Sequence, residues 1–142
     1  RHYNALGPRG AAAVATAIRV NTTLEELALY SNAMGAKGGA DIAAALAGNR
    51  SVTSLDIGGN GLGNEGAEAL AQTLRSNRTL TDVHLDFNEI GERGGLALAA
   101  ALGNSAESDS TDAQNTTLRT LWLHGNALGA ETQSAACRKA GC

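Results

Sequence analysis

Few residues in this chain of 142 could carry chemistry: three histidines, two cysteines, one tryptophan, and 14 acidic against 11 basic side chains. His84, Asp86 and His124, with Asp56 as a fourth oxygen ligand, are residue types that a divalent metal accepts. Ser54, His84 and Asp86 supply a nucleophile, a base and an orienting carboxylate. That set comes with no evident oxyanion donors and no lid, so hydrolysis is not expected of it. Cys137 and Cys142 stand five apart without a second ligand pair, which argues against both a zinc site and a disulfide framework. Gly58-Gly59-Asn60-Gly61-Leu62-Gly63 lacks the Lys-Ser/Thr that completes a phosphate-binding loop.

What must position these residues is a repeat. Asn4, Asn32, Asn60 and Asn88 are spaced by 28, and Asn126 follows after 38. Asn21, Asn49, Asn77 and Asn115 keep the same 28, 28, 38 rhythm, as do Leu24, Val52, Leu80 and Leu118. Each block reads L-x-x-L-x-L-x-x-N, as in Leu24-Glu25-Glu26-Leu27-Ala28-Leu29-Tyr30-Ser31-Asn32. The Leu27/Leu29 spacing of two predicts a short strand with both side chains on one face. Apolar pairs four apart, Ile42/Leu46, Leu70/Leu74 and Leu98/Leu102, predict a helix after each strand. One strand and one helix per unit place each parallel partner one repeat away.

The pattern resembles the leucine-rich repeat family, in particular its ribonuclease-inhibitor-like class with 28-residue repeats, as in NOD-like receptors and the Ran GTPase-activating protein. The resemblance implies an α/β solenoid, a curved right-handed stack with parallel strands on the concave face and helices on the convex face. It also implies that the Asn4 series forms a buried ladder satisfying backbone groups where each strand turns. The Asn21 series suits a helix C-cap or turn. Its four N-x-[ST] matches are read as products of the repeat rather than glycosylation sites. Asn64, outside both series, is expected to be replaceable.

On this reading three columns of side chains cross the concave face. The first is Glu26, Ser54, Asp82 and Thr120; the second is Ala28, Asp56, His84 and Trp122; the third is His2, Tyr30, Gly58, Asp86 and His124. No Lys or Arg occurs in them, so the face is acidic with aromatic anchors. An exposed tryptophan marks a contact more often than a solvated strand does. The expected function is therefore a non-catalytic protein-interaction module that binds a basic protein through Glu26, Tyr30, Asp56, Asp82, His84, Asp86, Trp122 and His124. Two alternatives remain open at this stage: a GTPase-activating protein by fold analogy, and a metal-dependent enzyme at His84/Asp86/His124. No cofactor is expected.

Composition bounds the rest. The chain has 18 glycines and 28 alanines but only four aromatics, Tyr3, Tyr30, Phe87 and Trp122, which suits thin, closely stacked elements better than a bulky globular core. A net charge of -3 argues against a nucleic-acid partner, and no apolar run has the length of a membrane span. Two cysteines suggest a reducing, cytoplasmic setting, with Cys137 an inward apolar filler. Residues 1–142 are expected to form one domain of about four complete repeats plus a partial N-terminal one. A polar insertion at about Ser105–Gln114 accounts for the longer last spacing. The uncapped start suggests a fragment of a longer array, or end-to-end self-association.

Overall fold

A computed structural model describes residues 4–103 and 114–137. The Leu-x-Leu segments form four three-residue strands: β1 (Glu26–Ala28), β2 (Ser54–Asp56), β3 (Asp82–His84) and β4 (Thr120–Trp122). Five helices alternate with them: α1 (Gly7–Val20), α2 (Gly35–Gly48), α3 (Gly63–Ser76), α4 (Glu92–Ala101) and α5 (Ala130–Cys137). The strands make one parallel sheet in the order β1-β2-β3-β4, so every crossover leads to the adjacent strand. The fold is the α/β repeat solenoid expected from the spacing. Among the described residues, no helix is long and apolar enough to cross a membrane.

The core lies between sheet and helices. Leu55, Val83 and Leu121, the central residues of β2 to β4, are fully buried, as are Ile42, Leu46, Leu70 and Leu74 from the helices. Small residues let the layers approach. A Cβ on Gly38 would lie 2.9 Å from that of Ala11, and one on Gly39 would lie 2.4 Å from Leu62 Cδ2, so this pair lets α2 touch the repeats on both sides.

The first asparagine series is the buried ladder. The backbone N–H groups of Asn4, Asn32, Asn60 and Asn88 donate to the Oδ1 of Asn32, Asn60, Asn88 and Asn126 at 2.9–3.1 Å. Asn60 Nδ2 donates to the carbonyls of Leu29, Ile57 and Gly58, each at 2.9 Å. One side chain thus ties its own turn to the preceding repeat, and its backbone N–H joins the next.

The second series does more than cap. Asn21, Asn49 and Asn77 follow α1, α2 and α3 in extended backbone, and Asn49 Oδ1 accepts the N–H groups of Ser51 and Val52 at 2.9 and 2.8 Å. Its Nδ2 reaches back to the carbonyls of Ile18 and Asn21 at 3.0 and 3.1 Å. Asn77 and Asn115 repeat this pattern on Leu46 and Asn49, and on Leu74 and Asn77. The chain therefore carries two inter-repeat ladders, one under the strand turn and one at the helix end. Asn49, Asn77 and Asn115 are buried with their amides engaged, which closes those three N-x-[ST] matches to modification.

Three expectations are corrected. Asn64 is not spare: its Oδ1 accepts the N–H groups of Gly91 and Gly94, each at 2.9 Å, and so caps the start of α4 from the preceding repeat. Glu92, at the same repeat position, does this for α5 by accepting the Gly129 N–H at 2.9 Å and the Thr132 hydroxyl. These two bonds, that from Thr132 foremost, hold the Glu92 carboxyl below its ordinary range. Cys137 is half-buried and disulfide-bonded, not an inert filler. Gly58 is buried beneath Tyr30 instead of lying open on the concave face. His2, Tyr3, Cys142 and the expected insertion, except Gln114, lie outside the described residues.

Candidate functional site

Parallel pairing sets the concave columns in register. Glu26, Ser54, Asp82 and Thr120 stand side by side, as do Ala28, Asp56, His84 and Trp122. With Leu27, Leu55, Val83 and Leu121 turned inward, both flanking residues of every strand face outward. The third column continues just past the strand ends. There the Gly59 N–H donates to the Asp86 carbonyl and the Phe87 N–H to the His124 carbonyl, each at 2.8 Å.

His84 is the centre of this surface. Its ring stacks on Trp122 with centroids 5.6 Å apart and planes 18° from parallel. Its Nδ1 lies 3.9 Å from Asp86 Oδ2, while Asp86 Oδ1 accepts the His124 N–H at 2.9 Å. Asp56 is its register partner on the other side. Asp82 takes hydrogen bonds from the Thr81 hydroxyl, at 2.7 Å, and from Thr120; these hold its carboxyl below the usual range, aided by the charges of His84 and Arg119. Arg119 is exposed one residue before β4, beside the first column but outside it.

All eight sequence-predicted site residues line this surface, but they are not one cluster. Asp82, His84, Asp86, Trp122 and His124 gather on β3, β4 and the turns after them. Glu26 stands apart on the exposed β1 strand. Tyr30 lies flat over glycine: a Cβ on Gly58 would be 2.8 Å from its Cδ2.

One residue was missed. Phe87 is 51% exposed, and its ring meets His124 edge-on with centroids 5.5 Å apart and planes 88° apart. It covers Gly125, where a Cβ would lie 2.3 Å from Phe87 Cδ1. Its repeat position carries Tyr3, Ser31, Gly59 and Gly125 elsewhere in the sequence, and Phe87 adopts a left-handed φ of 54° there. An aromatic at this position, shared with Tyr3, was a readable signal. It lies in a left-handed turn, outside the strand alternation that defines the columns.

Ser54 pairs in register with Asp82 and is diagonal to His84, about 7–8 Å away at the backbone. Among the described residues no group of three His, Cys, Asp or Glu side chains is placed to hold a metal ion. A convex groove between α2 and α3 is lined by Ala40, Ala44, Ala47, Ala69, Gln72, Thr73 and Ser76, with no titratable group.

Comparison with known proteins agrees with the geometry. No curated protein matches the chain. Solved structures do, among them leiomodin-1 actin-binding site 2, which superposes at a TM-score of 0.75 with 24% identity over 90% of this chain and 68% of that one. The family model described as "Leucine Rich repeat" matches residues 20–43, 48–71 and 76–99, three spans that begin 28 residues apart and together cover just over half of the sequence. The chain belongs to the leucine-rich repeat family.

Proposed function

We propose that this chain is a non-catalytic protein-interaction module that binds a basic protein through its concave face. The observation that carries the reading is the composition of that face. Glu26, Asp56, Asp82 and Asp86 stand in its columns without a Lys or Arg, beside a tryptophan that is 41% exposed. Carboxylates steer and select a cationic surface, and the aromatic supplies apolar contact area. The 28-residue spacing of the family matches supports the ribonuclease-inhibitor-like class. The leiomodin likeness, at 24% identity, extends to the fold and does not bring actin with it as a partner.

The test is charge reversal on opposite faces. Asp82→Lys with Asp86→Lys should abolish capture of basic proteins, whereas Arg75→Glu with Arg93→Glu, on the helices, should leave it intact. Binding by the unmodified chain should also weaken with added salt, since exposed charges are screened over about 8–10 Å at physiological ionic strength. Loss of capture with the helix-side pair alone would move the site to the convex surface.

End-to-end self-association belongs to the proposal as well. Leu24 is 37% exposed where its equivalents Val52 and Leu80 are buried, and Val20 beside it is 80% exposed. Sedimentation velocity should show dimers that Leu24→Ser removes; a concentration-independent monomer would discard this part. The cytoplasmic setting has its own test. The cytoplasm keeps thiols reduced, so protein taken from cells should then label at Cys137 with a maleimide. A protected Cys137, bonded as in the structure, points to an oxidising compartment.

A further inference from the structure

Two features of the concave face remain unexplained by charge alone. The His84–Trp122 stack and the Phe87–His124 pair place four rings together around Asp82 and Asp86, on one half of the sheet only. Phe87 also projects from a left-handed turn, with its ring laid over Gly125. A left-handed backbone costs a residue with a Cβ about 1–2 kcal/mol, and half of its surface is left in water. Strain and exposure together are what a residue retained for a ligand shows.

We infer that this half of the concave face takes an arginine side chain of the basic partner in preference to a lysine. The inference rests on the interaction reading above and names the chemistry that the site selects. A guanidinium is planar and weakly hydrated; it stacks on aromatic rings and pairs two-pronged with a carboxylate. An ammonium is compact and strongly hydrated and exploits a charge without needing the rings. Trp122 is half-exposed and lies one strand from Asp82 and Asp86, which stand diagonally to it about 7–8 Å away at the backbone. Those separations lie within the reach of one arginine, whose stem can lie on the indole while its fork meets a carboxylate. Asp82 suits the second contact because its hydrogen bonds from Thr81 and Thr120 fix its orientation. Phe87, at the rim, extends the apolar ground on which the flanking chain of the partner would lie.

Trp122 is the only tryptophan of the chain, so its emission reports on this spot directly. The probes are three nonapeptides of Gly and Ser carrying three arginines, three lysines or no charge, titrated into the whole chain at low salt. The arginine peptide should bind at least about fivefold more tightly than the lysine peptide and shift the Trp122 emission, while the neutral peptide should not bind. Phe87→Gly and His84→Ala should each weaken arginine-peptide binding more than lysine-peptide binding and so narrow the preference. Equal affinity for the two basic peptides overturns the arginine inference and leaves the basic-partner reading standing. Binding of neither, by a chain shown to be folded by circular dichroism, overturns the basic-partner reading itself. Isothermal titration with Trp122→Phe keeps the affinity measurable where the emission signal is lost.

Discussion

The two faces of the same short strands behave in opposite ways. Inward, the repeats carry Leu27, Leu55, Val83 and Leu121, nearly one residue type; outward, at the next position, they carry Ala28, Asp56, His84 and Trp122. The backbone is the same in both cases, so the difference reports what each face is required to do. The inner face must meet an equivalent helix one repeat after another, and it repeats. The outer face meets nothing in the described structure that imposes a period, and it does not repeat. Each repeat thus serves as the control for the others: sameness marks what holds the solenoid together, and departure marks what this particular chain adds.

The comparison breaks most readily at the ladders. Asn60→Ala removes three donated and two accepted hydrogen bonds between buried groups, and should cost about 3 kcal/mol or more, read as a large drop in the urea midpoint. Asn77→Ala, in the helix-end ladder, strands the carbonyls of Leu46 and Asn49 and should cost about 2 kcal/mol in the same assay. A substitution at Asn77 as harmless as one on the surface would show that the second series is a local turn device only.

These ladders also show how far the sequence could be read. The strand-turn series was legible because one Asn per period, fixed three places after the last apolar residue of the block, admits a single structural role. The helix-end series was seen as a period but given half its role. Nothing in one sequence shows that an amide reaches the carbonyl 31 residues earlier. Asn64 was misread for the same reason, since its partners Gly91 and Gly94 belong to the next repeat and its position holds Ala36 and Glu92 elsewhere. On the concave face, strict alternation placed the strand columns correctly. It could not place Phe87, which projects from a turn whose left-handed backbone carries no alternation.

Smaller effects sharpen the contrast. Asn64→Ala should cost about 1 kcal/mol, the usual value of a lost helix cap, with faster hydrogen exchange confined to the start of α4. Acid should act on the two faces differently. The folded Glu92 carboxyl is held below its ordinary range, so its contribution is present at neutral pH and is lost as pH falls below that range through the lowered folded pKa. The protection factor of the Gly129 amide should therefore fall on acidification before those of the rest of the chain do, and Glu92→Gln should remove that pH dependence. The folded Asp82 carboxyl is lowered too, so its charge persists further into acid than that of an ordinary aspartate, and attraction of a basic partner should persist with it. His84→Ala and Trp122→Ala, by contrast, should change stability by less than about 0.5 kcal/mol, as surface substitutions do.

The separation of folding from binding is tested most directly by thermal unfolding of Phe87→Gly. Glycine adopts the left-handed turn without the Cβ penalty, and Gly59 and Gly125 already occupy this position in neighbouring repeats. If Phe87 is kept for a partner, the variant should melt no lower than the unmodified chain, and somewhat higher as the strain is released. A fall of several degrees, toward that of Asn60→Ala, would place Phe87 among the residues that hold the solenoid together and would contradict the account.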